Sequence, residues 1–148
     1  MTGKVSLVIA GGIRSGVDAA KCLALGADAI MIGTGSMIAL GCNSPRYFDD
    51  YAALGTAPGK CHHCHTGMCP VGVATQDPDL EARIDVPAAS ERVARYLTAL
   101  TMEITLIAKA CGKSTVHNLD IEDLRALSLD ASAFTGVKMA GIDKPFTW

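Results

Sequence analysis

Two short apolar runs separated by a helix-forming segment set the first constraint on this chain. Val5-Ser6-Leu7-Val8-Ile9 leads into Ala10-Gly11-Gly12, and Ala29-Ile30-Met31-Ile32 leads into Gly33-Thr34-Gly35. Near-continuous apolar runs of this length read as strands buried on both faces, the pattern of a parallel sheet. Between them, Ser15 is placed to cap a helix, with Asp18 in the capping-box position. Val17, Ala20, Leu23 and Ala24 give that helix an apolar face, and Gly26 gives it a stop. Strand, helix and strand together read as a parallel βαβ unit, followed by a short helix over 36–40. Two buried parallel strands cannot cover their own sheet. They require neighbours on both sides or closure into a barrel. The expectation is therefore an α/β chain that is the C-terminal piece of a larger body and that, alone, is unstable or oligomeric.

The rest of the chain divides in two. Residues 41–87 carry three of the four histidines, four of the six cysteines and most of the prolines. They read as a long irregular connection with a helical turn at 46–54, and a loop of that length implies function or an organising cofactor. From Ala88 the helical signal is strong: Val93, Leu97, Leu100, Ile104, Ile107 and Cys111 recur at spacings of four and three, and Gly112 ends the run. Glu91 and Arg95 form an i,i+4 pair on another face. Asp120 with Asp123 opens a short helix over 121–127, and 128–148 reads as a tail packed on a larger body.

The charge balance is close to neutral, 13 basic against 15 acidic residues, which speaks against a nucleic-acid surface. No apolar run is long enough for a transmembrane helix, and no secretory leader is visible. Six cysteines without a secretion signal point away from a disulfide framework and toward metal or cluster binding in a reducing cytoplasm.

Each glycine turn lies where a strand gives way to a helix. Backbone N–H groups are unpaired there, the helix dipole favours an anion, and glycine lets a phosphate approach closely. Two such turns on adjacent parallel strands form a phosphate cradle of the kind built by the last two strands of an eight-stranded βα barrel. The competing reading is plain turn chemistry. Arg14 is either a cation beside the phosphate or a solvated residue at the helix entry. The most specific segment is Cys61-His62-His63-Cys64-His65-Thr66-Gly67-Met68-Cys69-Pro70. Its spacing, Cys-x2-Cys-x4-Cys-Pro, lets one loop wrap an inorganic core, with Cys42 available as a fourth thiolate. Zinc is the rival, because Cys61 and Cys64 have knuckle spacing and a nearby histidine could complete a tetrahedron. The histidines otherwise read as solvated loop residues. Cys22 and Cys111 read as small core residues, Tyr96 as packing, and His117 as structural or surface.

These motifs resemble the FMN-binding barrel of glutamate synthase. Val8 to Gly16, Ala24 to Ala29 and Ile32-Gly33-Thr34 carry one part of the likeness, and Cys64 through Gln76 is similar to that family's cluster loop. The likeness covers nearly the whole chain and corresponds to the end of the synthase domain, a (β/α)8 TIM barrel. On this division 1–40 are the last two barrel strands with their phosphate turns, 41–87 the cluster loop and 88–148 the C-terminal helices and tail. The resemblance implies FMN phosphate contacts at Gly11, Gly12, Ile13, Gly33 and Thr34, with Arg14 nearby, and cluster ligands at Cys64 and Cys69. In the family pattern three cysteines hold a [3Fe-4S] cluster. Here Cys42 follows Gly41 in the place of the first, but a long insertion intervenes, and Cys61 resembles the extra cysteine of archaeal-type relatives. The set Cys42, Cys61, Cys64 and Cys69 could thus hold a [3Fe-4S] or a [4Fe-4S] cluster. The implied reaction is reduction of 2-iminoglutarate, formed from 2-oxoglutarate and glutamine-derived ammonia, to L-glutamate. The implied partners are the remainder of the barrel, a glutaminase and an electron donor. The insertion also resembles N-methylglutamate-forming systems. A non-catalytic metal-stabilised module and a cluster-free FMN barrel, such as an α-hydroxy-acid oxidase relative, are the other readings. No residue stands out as an acid or base for the imine.

Overall fold

The computed structural model describes residues 5–143. The backbone is mixed α/β and mainly helical. It forms two compact units, one from residues up to Ile32 together with those from Ala99 onward, the other from Gly33–Thr98.

In the first unit β1 (Val8–Ala10) pairs in parallel with β2 (Ala29–Met31), Val8 opposite Ala29 and Ala10 opposite Met31. The connecting helix α1 (Gly16–Ala24) begins as its sequence dictates. The Ser15 hydroxyl accepts from the Asp18 N–H at 3.3 Å, and the Asp18 carboxylate accepts from the Ser15 N–H at 3.2 Å. Ala19, Ala20, Leu23 and Ala24 are buried. Long helix α5 (Val86–Ala110) belongs to this unit from residue 99 on, and there Leu100, Ile104 and Ala108 are buried.

Several expectations change. The strands are shorter than the apolar runs and are not buried on both faces: Val8 is 53% and Met31 61% exposed. Among the described residues the sheet has only these two strands, so no third strand covers them. Val17 on α1 is also exposed, although it shares an apolar cavity with Ala20, Ala24 and Ile107. On α5 the apolar period is real, but Leu97 and Cys111 are exposed, so Cys111 is not a core residue. The expected helix over 121–127 is one 3-10 turn, Ile121–Asp123, with the Asp120–Asp123 capping box in place. It stops because Leu124 is extended. Beyond it, the expected tail contains α6 (Leu129–Thr135), capped by Ser128. A parallel bridge joins Ala126 to Met139, and the buried Ser132 hydroxyl donates to the Val137 carbonyl at 2.6 Å.

The second unit holds α2 (Thr34–Leu40), a 3-10 turn at Pro45–Tyr47, α3 (Phe48–Ala53), a 3-10 turn at His63–His65, α4 (Pro78–Glu81) and the start of α5. The loop-rich character expected for 41–87 holds, and the helical turn expected at 46–54 is there. Its centre is Tyr51, Cys69, Pro70 and Val71, all buried. No helix of the described residues is long and apolar enough to cross a membrane.

Candidate functional site

The two glycine turns lie in different units of the chain. At the first, Gly11 and Gly12 have φ of +102° and +69° and lie at the surface, while the Ile13 side chain is buried and anchors the turn. The N-terminus of α1 is not vacant for an anion. The N–H groups of Arg14 and Ser15 donate to Asp18 at 3.1 and 3.2 Å, and that of Gly16 donates to Glu103 at 2.6 Å. Two of the chain's own carboxylates thus occupy the end of that helix, and what faces outward is the Gly11–Gly12 backbone. The N–H groups of Arg14 and Ser15 hold the Asp18 carboxyl below its ordinary value, aided by the Ser15 hydroxyl. Gly33 precedes α2, and no side chain caps that helix.

The cysteines of the second unit come together. Cys42, Cys61, Cys64 and Cys69 all line one cavity of about 90 Å³, and Thr34 is in its wall. One water needs roughly 10–15 Å³ on the same measure, so the cavity has room for a polyatomic group. Three segments deliver the thiols. Cys42 is set by the end of α2: Gly41 turns left-handed at φ +114°, and the Cys42 N–H closes on the Met37 carbonyl at 3.0 Å. From the other side the buried Tyr51 hydroxyl donates to the Cys42 carbonyl at 2.6 Å. Cys61 is half-buried and Cys64 exposed. Cys64 is the middle residue of the His63–His65 turn, which Thr66 ties by donating to the His63 carbonyl at 2.9 Å. Cys69 is buried against Tyr51 and Val71. Behind it, Arg83 donates to the Pro70 carbonyl at 2.8 Å and pairs with Asp50 at 3.0 Å. The loop then turns at Gly72, where φ is +81° and a Cβ would collide with the Leu80 carbonyl oxygen.

Burial pushes the Cys42 thiol up, and the neighbouring Cys64, Cys69 and Cys61 add to the effect. Burial likewise pushes Tyr51 up to about 12, with Cys61, Cys42 and Cys69 contributing, so it stays a neutral donor at neutral pH. Among the described residues, no three His, Cys, Asp or Glu side chains gather as a single ion requires. The thiols instead ring a cavity. His63 lines it too, while His62 and His65 are exposed, as is His117. No sequence pattern marks Tyr51, Arg83 or Asp50. Their roles depend on contacts across 9, 13 and 33 residues, which no local pattern announces.

Comparison with known proteins adds a family. The model described as the conserved region in glutamate synthase matches residues 1–114. The chain belongs to the glutamate synthase family. It is 51% identical over 138 residues to the glutamate synthase large subunit-like protein of Rhizobium meliloti (strain 1021), covering 93% of this chain and 31% of that protein. It is 36% identical over 142 residues to the archaeal glutamate synthase [NADPH] of Methanocaldococcus jannaschii, covering 93% and 25%. The ferredoxin-dependent glutamate synthase of Cyanidium caldarium is 34% identical over 146 residues, covering 91% and 8%. The chain therefore spans about a third or less of these curated relatives. No solved structure matches.

Proposed function

We propose that this chain supplies the cluster ligands and part of the flavin phosphate site of a glutamate synthase-type oxidoreductase, one that reduces 2-iminoglutarate to L-glutamate. One observation carries the reading: Cys42, Cys61, Cys64 and Cys69 meet around one cavity that also has Thr34 in its wall. A mononuclear zinc site draws its thiolates to about 2.3 Å from one point. Thiols spread around a cavity suit an iron–sulfur core, with four ligands for a [4Fe-4S] cluster or three for a [3Fe-4S].

In this reading the chain's own groups bind and orient. Each glycine turn is taken by itself: the N–H groups of the Gly11-Gly12-Ile13 turn, with Arg14 as a nearby cation, would offer contacts to an FMN phosphate, and so would those of Gly33 and Thr34. Tyr51 holds the Cys42 carbonyl and Arg83 the Pro70 carbonyl, so the backbone beside Cys42 and Cys69 is tied by the chain's own side chains. Bound FMN would supply hydride to the imine. The rest of a TIM barrel, a glutaminase that releases ammonia from glutamine and an electron donor would be the partners, in the cytoplasm.

The test is spectroscopic. The full protein, purified anaerobically with the polypeptides that accompany it, is expected to show flavin bands over broad cluster absorption. Cys69→Ser is expected to remove the broad absorption and glutamate formation together, while Cys111→Ser, outside the cavity, leaves both. A colourless protein with stoichiometric zinc, or a Cys69→Ser variant with full cluster absorption, would overturn the proposal.

A further inference from the structure

A second cavity of the second unit, about 340 Å³, is walled by Arg46, Arg83 and Arg92 with Ser44, Tyr47 and Asp85. The three cations are held there by different means. Arg83 pairs with Asp50 at 3.0 Å and lies over the Tyr47 ring, 4.9 Å from its centroid. Arg46 lies 5.6 Å from the centroid of the same ring. Arg92 donates to the Leu40 carbonyl at 2.8 Å and to the Ala39 carbonyl at 3.4 Å. Among the described residues no carboxylate pairs with Arg46 or Arg92. Asp85, the acidic residue of the wall, accepts from the Ala88 N–H at 3.1 Å.

Like charges gathered in one cavity repel, and two of the three here lack a carboxylate partner among the described residues. An anion relieves that repulsion, and guanidinium forks match carboxylate and phosphate oxygens two at a time. The volume is within the range of small-molecule sites, roughly 300–1,000 Å³. We propose that this cavity binds a small oxyanion of two negative charges, a phosphate group or a dicarboxylate. The site does not depend on the cluster or flavin reading. Its walls nevertheless reach the cysteine-bearing segments, because Arg83 holds the carbonyl of Pro70, next to Cys69, and Arg92 that of Leu40, two residues before Cys42.

The test is calorimetric titration of the full protein at constant ionic strength with saturating FMN, using inorganic phosphate and, separately, glutarate. Saturable binding of at least one is expected. Phosphate alone would identify a phosphate group, glutarate alone a dicarboxylate, and both a general dianion site. Arg46→Gln is expected to weaken binding at least tenfold with an unchanged melting midpoint, since among the described residues its guanidinium lies over the Tyr47 ring and forms no ion pair. Arg46→Lys, which keeps the charge and loses the fork, is expected to fall between. Arg95→Gln, whose side chain pairs with Glu91 outside the cavity, is expected to bind as the unmodified protein does. Absence of saturable binding by either anion, or binding that Arg46→Gln leaves untouched, would overturn the site.

Discussion

Gly72 shows how a single residue holds the cysteine loop. Its φ of +81° is in the left-handed region, and the Leu80 carbonyl oxygen fills the place a Cβ would take. The Gly72 N–H closes on the Cys69 carbonyl at 3.1 Å, so the turn and the buried cysteine are one unit. Gly72→Ala combines left-handed strain with overlap, and is expected to cost about 2 kcal/mol or more, read as a fall in the urea midpoint. At this scale the cysteines were legible because their spacing is itself the signal. Tyr51 was not, since one buried tyrosine that reaches a carbonyl nine residues back has no sequence signature. Cys111 was misread because a helix period shows which residues share a face and not how far along the helix that face is covered.

Among the elements, α1 was the most legible. Ser15, Asp18 and Gly26 fix its ends through local hydrogen bonds and local backbone conformation, and both ends are where those residues place them. Its N-terminus carries a consequence that the sequence did not show: Glu103, 87 residues away, closes on Gly16. Asp18 accepts from Arg14 and Ser15, and these bonds lower its pKa from the ordinary 3.8. A carboxylate held below its ordinary value adds stability above that value, and the contribution is lost as pH falls through the lowered one. Asp18→Asn is therefore expected to lower stability at neutral pH and to flatten the acid side of the stability profile, measured by thermal melts from pH 7 to pH 2. The short elements were harder to read. The helix over 121–127 shrank to one turn, and α6 has only seven residues, too few to give a periodic signal.

On the scale of the whole molecule, the prediction of strands that need neighbours takes a particular form. Val8 and Met31 are apolar and 53% and 61% exposed, on a sheet of two parallel strands among the described residues, and Leu7, just before β1, is 49% exposed. Parallel strands with open edges and apolar surface invite further strands. Without partner polypeptides or cofactors, the chain is expected to self-associate, with sedimentation velocity showing species larger than a monomer. A single monomeric boundary with a cooperative melt would contradict this. The α/β pattern and the cysteine loop were readable because both are local. What would pair with the open strand edges was not readable, because no local pattern of these residues encodes it.

In the proposed function Cys42, Cys61, Cys64 and Cys69 hold an iron–sulfur core. The most direct measurement is iron, zinc and acid-labile sulfide per chain on anaerobically purified full protein, with EPR before and after reduction. About three to four irons with about four sulfides per chain are expected, with an EPR signal that separates the three-iron from the four-iron form. One zinc per chain without sulfide would contradict the proposed function.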